Sequence, residues 1–112
     1  MARSFDTAMR MLRKHDPQQQ EDGFRQLHAQ AAEHVGALIE QFEAEQQDPG
    51  LRRWLLELIA AAESPLALPI FVAQLESPDK SLRGWAATGL TRLNTLEARQ
   101  ALWRARANGT IA

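Results

Sequence analysis

The chain has 112 residues (12.6 kDa), a formal net charge of −1, 45% hydrophobic and 24% charged residues, which fits one globular domain and excludes a disordered chain. Cysteine is absent, which excludes a disulfide framework, thiolate metal sites and a cysteine nucleophile. No apolar run approaches the roughly 18 residues of a membrane span, and the first residues lack the apolar stretch of a signal peptide, so a soluble cytoplasmic protein with no membrane partner is expected.

Ala, Leu, Gln, Glu and Arg dominate while Tyr is missing, a bias that favours helix because straight-chain side chains keep most of their rotamers there. Phe5, Met9 and Leu12 stand at helical spacing in a predicted helix over 3–14, with Ser4 as a candidate cap. Asp16-Pro17 opens a polar stretch ahead of Phe24, Leu27 and Ala31, and Val35, Leu38, Ile39 and Phe42 follow at the same spacing. The two groups lie on one continuous stripe, so residues 18–47 read either as one long helix or as a hairpin. Gly36 stands where Pro69 stands in the following segment, which favours the hairpin.

Asp48-Pro49 then starts a helix through Leu51, Trp54, Leu55, Leu58 and Ile59, with Asp48 as N-cap and Pro49 where its missing N–H costs nothing. Ser64-Pro65 repeats the device before Leu68, Phe71, Val72 and Leu75, and Ser77-Pro78-Asp79 precedes Leu82, Trp85, Ala86 and Leu90. Thr95 caps a last helix through Leu102 and Trp103, expected to fray near Asn108-Gly109. No segment alternates with period two, so no strand is predicted.

The sequence repeats itself. Asp48-Pro49-Gly50-Leu51-Arg52-Arg53-Trp54 lies over Asp79-Lys80-Ser81-Leu82-Arg83-Gly84-Trp85, and at the same spacing Phe71 meets Leu102. A weaker copy sets residues 35–42 over 68–75, with Gln41 on Gln74. The Asp-x-x-Leu-Arg-x-Trp blocks, and Ala67-Leu68-Pro69-Ile70-Phe71, resemble the first and second helices of HEAT repeats over about residues 17–107. The first repeat departs from the pattern, because Asp16-Pro17 lacks the Leu-Arg that should follow. The resemblance implies an all-α fold: a short α-α superhelix of about three HEAT-like hairpins (17–47, 48–76, 77–107) preceded by the N-terminal helix, its second helices lining one face.

The near-neutral total hides a polarity. Residues 16–48 hold eight acidic side chains against one basic, and from Leu51 onward eight basic stand against five acidic. Helical stacks bind through extended surfaces, so the expected function is non-catalytic protein binding. Glu33, Glu40, Glu43, Glu45, Gln74 and Trp103 are its candidate contact residues. A HEAT-like chain of this size also resembles bacterial immunity proteins that neutralise polymorphic or contact-dependent toxins. That resemblance implies a basic toxin domain as partner for the acidic side. The alternative is nucleic-acid binding through the Arg-rich half, with Arg52, Arg53 and Arg83 on phosphate, which the near-neutral net charge disfavours.

Asp48–Arg52 and Asp79–Arg83 are expected to form a ladder in which each Asp caps its helix and each Arg reaches a carboxylate. Trp54 and Trp85 are expected in equivalent packed positions, and Trp103, with no repeat after it, as a contact anchor or a cap. His15, His28 and His34 lack metal-ligand spacing, and neither a nucleophile motif nor a phosphate loop occurs, so no metal, cofactor or catalysis is expected.

Overall fold

In the computed structural model, which describes residues 2–111, the chain forms seven α-helices and no strand among those residues. They are α1 (Ala2–Leu12), α2 (Pro17–Ala29), α3 (Val35–Ala44), α4 (Pro49–Ala62), α5 (Leu68–Gln74), α6 (Lys80–Leu93) and α7 (Leu96–Ala107), with a 3-10 turn at Pro65–Ala67 before α5. Side-chain caps start five of these elements. Gln18 N–H donates to Asp16 Oδ1 (3.0 Å), Leu51 N–H to Asp48 Oδ1 (3.1 Å), Leu66 N–H to Ser64 Oγ (3.3 Å), Ser81 N–H to Asp79 Oδ1 (2.8 Å) and Ala98 N–H to Thr95 Oγ1 (3.1 Å). Each satisfies a backbone donor that a helix start leaves without an intrahelical partner.

Three local features depart from expectation. Ser4 lies inside α1 and caps nothing, because the helix already begins at Ala2. Ser64-Pro65 opens a 3-10 turn, with Leu68 N–H donating to the Pro65 carbonyl. Pro69 has no N–H with which to close an α-turn onto that carbonyl, so the tighter bond takes its place. The end of α7 is locked where fraying was expected. Gly109, at φ +75°, lets its own N–H reach the Arg106 carbonyl (3.1 Å) and Thr110 N–H reach the Ala105 carbonyl (2.9 Å), the paired bonds of a Schellman turn. Ile111 then folds back onto the core beside Gly84 and Ala87 of α6.

Residues 17–47 form two helices. The chain breaks at Gln30–His34, where Glu33 N–H donates to the Gln30 carbonyl (3.1 Å) and His34 N–H to that of Ala31 (3.2 Å). The helices then assemble in two layers. α2, α4 and α6 follow one another in the first layer, and α3, α5 and α7 in the second. In the second layer α3 packs on α4 and α5 on α6, the first-layer helix that follows each, while the last helix, α7, packs back on α6. α1 packs on α2, which follows it, and its side chains reach α3. The Phe5 ring lies 5.2 Å from that of His34 before α3, and Arg13 donates to Gln41 in its last turn (2.7 Å). The N-terminal helix is therefore a fourth member of the second layer.

Phe42, Phe71, Leu12, Leu38 and Leu55, all under 2% exposed, anchor one continuous core between the layers, and no polar residue is buried among the described ones. The repeat persists in the backbone: Glu63 and Asn94, 31 positions apart, both end their helices left-handed (φ 50° and 51°). Trp54 and Trp85 occupy matching half-buried sites on α4 and α6, against that core.

Candidate functional site

The sequence-predicted residues distribute over the second layer. Glu33 lies in the turn before α3, Glu40 and Glu43 on the exposed side of α3, Gln74 half-buried on α5, and Trp103 exposed on α7. Glu33, Glu40 and Glu43 have carboxylates free of hydrogen bonds and ion pairs among the described residues. The rest of the acidic segment is engaged inside the chain: Asp16 and Asp48 cap helices, Glu21 pairs with Arg25 (2.7 Å) and Asp22 accepts from Gln18 (3.0 Å).

Glu45 corrects the acidic-face expectation. Its carboxylate accepts from Gln47 and Asp48 N–H (3.0 Å each) and pairs with Arg13 (3.1 Å), and its side chain is only 14% exposed. It ties the link between α3 and α4 and leaves little for a partner. The backbone N–H of Asp48, then that of Gln47, then the Arg13 guanidinium hold its carboxyl below the ordinary value of 4.5. A depressed carboxyl stabilises the fold fully above that value, and the contribution is lost as pH falls through the folded-state pKa. Glu45→Gln is therefore expected to lower the melting temperature at neutral pH and to narrow its deficit to the wild type as pH falls below 4.5. Melts in a pH series test this, and parallel curves would refute it.

The Asp–Arg ladder differs from the expected one. Each Asp caps its helix, but neither Arg reaches a carboxylate. Arg52 Nε donates to the Glu45 carbonyl (2.7 Å), with its guanidinium 4.1 Å from the centre of the Phe42 ring, and Arg83 Nη1 donates to the Ser77 carbonyl (2.7 Å). Both cations sit where a second-layer helix ends and its last carbonyls lack intrahelical partners. Arg52 and Arg83 are thus committed to joining repeats, and of the phosphate-binding trio only Arg53 is exposed.

Trp103 is 71% exposed, the most exposed large apolar residue described. It shares its repeat position with Ile39, half-buried on α3, and Val72, 39% exposed on α5. Arg104 follows it and lines, with Val72, Leu75 and Glu76, the cleft between α5 and α7. Leu96, at the start of α7, adds a second exposed apolar side chain.

His15 and His28 are exposed and His34 stands half-buried at the N-cap of α3, its Nε2 enclosed with no hydrogen-bond partner. Among the described residues no three His, Asp or Glu side chains are grouped as a metal site needs, and no helix is long and apolar enough to cross a membrane. The groove between α2 and α4 is lined by Phe24 and Trp54, whose rings lie 6.5 Å apart edge to face. The signals sequence reasoning missed are the internal partners of Glu45, Arg52 and Arg83. Comparison of the chain with models of protein families, with curated proteins and with solved structures gives no match in any of the three.

Proposed function

We propose that this chain is a non-catalytic protein-binding module acting through the outer face of its second helix layer. The observation that carries the reading is Trp103, 71% exposed on α7 beside Arg104 and in register with Val72 and Ile39. Trp and Arg are the residues whose burial most often dominates interface energetics. The two-layer stack supports the HEAT-like reading of the sequence, and such stacks bind through the surface of one layer. In a narrower form of the same reading, the partner is a basic bacterial toxin domain, and the chain is its cytoplasmic immunity protein. The carboxylates of Glu33, Glu40 and Glu43, free of partners among the described residues, support that form, because they would steer a basic surface onto α3.

A photo-cross-linker placed at position 103, in the cells the protein comes from, is expected to trap a protein partner. The same group at Gln26, exposed on α2 in the other layer, is expected to trap none. Trp103→Ala should leave stability within about 0.5 kcal/mol while weakening the trapped complex by roughly 30-fold or more, the loss of about 2 kcal/mol typical of an anchor residue. Equal trapping at both positions, or none at position 103, would overturn the reading.

A further inference from the structure

The groove between α2 and α4 lies in the first layer, away from Trp103. It encloses about 370 Å³ and is lined by Pro17, Gln20, Glu21, Phe24, Trp54 and Glu57, most of the wall being apolar. Sites for small groups run from roughly 300 to 1,000 Å³. Phe24 and Trp54, both half-buried, meet edge to face at 61° and form its corner. Both charged side chains of the lining are carboxylates. Glu57 is half-buried and has no hydrogen bond or ion pair among the described residues. Glu21 is exposed and pairs with Arg25, which does not line the groove. Arg53, one turn before Glu57, is exposed, stands outside the lining and makes no ion pair with it. His28, whose ring lies 5.9 Å from that of Phe24, is outside the lining too. The cleft beyond Gln20 and Trp54 adds His15, Asp48 and Arg13, the last paired with Glu45 (3.1 Å).

Packing of the repeat does not call for this combination. Eight residues after the capping aspartate stand Phe24 in α2 and Leu56 in α4, and nine after it stand Glu57 in α4 and Thr88 in α6. Leu56 is fully buried, so the next repeat uses the place for its core. Phe24 instead stays half open, in a groove with a free carboxylate.

Aromatic faces attract a cation and an unpaired carboxylate neutralises it. We propose that this groove binds the arginine side chain of a protein segment, its guanidinium laid against Trp54 and Phe24 and donating to Glu57. A guanidinium is flat and weakly hydrated, so it gives up water for an aromatic wall more readily than an ammonium does. A free arginine carries its own carboxylate, which Glu21 and Glu57 repel; a residue within a chain does not. The site goes beyond the second-layer reading and stands or falls without it. Gln26, two residues on from Phe24 and so about 200° around α2, does not line the groove.

The indole N–H signals of Trp54, Trp85 and Trp103, followed by NMR as short peptides are added to the full chain, test the proposal. A capped Gly-Gly-Arg-Gly-Gly peptide is expected to shift the Trp54 signal saturably and to leave the other two in place. The citrulline peptide, equal in shape and uncharged, should bind about tenfold more weakly, because it loses both the aromatic and the carboxylate attraction. The lysine peptide and free arginine should also bind more weakly. Glu57→Gln should weaken the arginine peptide about fivefold while keeping the wild-type helical spectrum. No saturable shift at Trp54, an equal response at Trp103, or wild-type affinity in Glu57→Gln overturns the proposal. So does equal binding of the citrulline peptide, the lysine peptide or free arginine, comparisons made on the unaltered chain and independent of whether the variant folds. A groove that fails these tests while a cross-linker at position 103 traps a partner leaves the second-layer reading standing.

Discussion

Replacing Phe71 by Ala is expected to remove about 3–5 kcal/mol of stability, the usual cost of deleting a fully buried aromatic ring. The ring is 0% exposed, and α5, seven residues long, cannot hold its conformation without tertiary packing. Its environment carries a more specific signature. A Cβ added to Gly89 of α6 would overlap the far edge of the Phe71 ring, with Cε1 and Cε2 both at 2.6 Å. Gly89 is therefore glycine because of that ring. In the wild type, Gly89→Ala gains about 1 kcal/mol of helix propensity and loses about 1–3 kcal/mol to overpacking, so net destabilisation is expected. In the Phe71→Ala background the ring is gone and the same substitution should stabilise by up to about 1 kcal/mol. Urea unfolding of the four proteins gives the coupling directly. A Gly89→Ala effect of the same size and sign in both backgrounds would show that the two residues are independent.

The helix starts were legible because their signals are local. Asp48, Ser64, Asp79 and Thr95 each make the cap their sequence context predicts, and Asp16, read only as the start of a polar stretch, caps α2 as well. The repeat was legible where it is written in side chains, as at Trp54 and Trp85, and hidden where it is written in backbone. Glu63 and Asn94 share a left-handed conformation but nothing that an alignment would pair. The break at Gln30–His34 carries neither Gly nor Pro, and the apolar stripe runs through it, since Ala31 and Val35 are both buried. In the sequence only Gly36, standing where Pro69 stands in the next segment, favoured the hairpin; in the structure Phe5 packs against His34 at the break.

The candidate site was legible in composition and not in detail. Counting charges located the acidic segment, but a count does not tell a free carboxylate from one already used. Glu43 and Glu45 are two positions apart, yet one points to solvent and the other closes the α3–α4 link. The Arg partners were illegible for a related reason: Arg52 and Arg83 bind main-chain carbonyls, which every residue carries. A surviving acidic strip of Glu33, Glu40 and Glu43 is smaller than the sequence suggested.

α1 had no repeat signature at all, and Gly23 reveals how it is held. A Cβ at Gly23 would stand 2.7 Å from the Ala8 carbonyl oxygen, 2.9 Å from the Leu12 nitrogen and 3.0 Å from Met11 Cβ. These are main-chain atoms or one bond away from them, so no flexible side chain can yield, and any larger residue must push α1 off α2. Phe5, Met9 and Leu12 bury their side chains only while α1 is docked, and each contributes about 1.5–3 kcal/mol by that burial. Gly23→Ala already sets that Cβ against main-chain atoms, so it should loosen α1 at a cost larger than its helix-propensity gain. Gly23→Leu should undock α1, freeing His34 from Phe5 and Arg13 from Gln41 and Glu45. The expected result is rapid tryptic cleavage at Arg10, Arg13 or Lys14, a far-UV loss equivalent to about one short helix of the seven, and a protected remainder. A Gly23→Leu protein that melts with the wild type and resists trypsin there would mean that α1 is not held by the close backbone approach at Gly23.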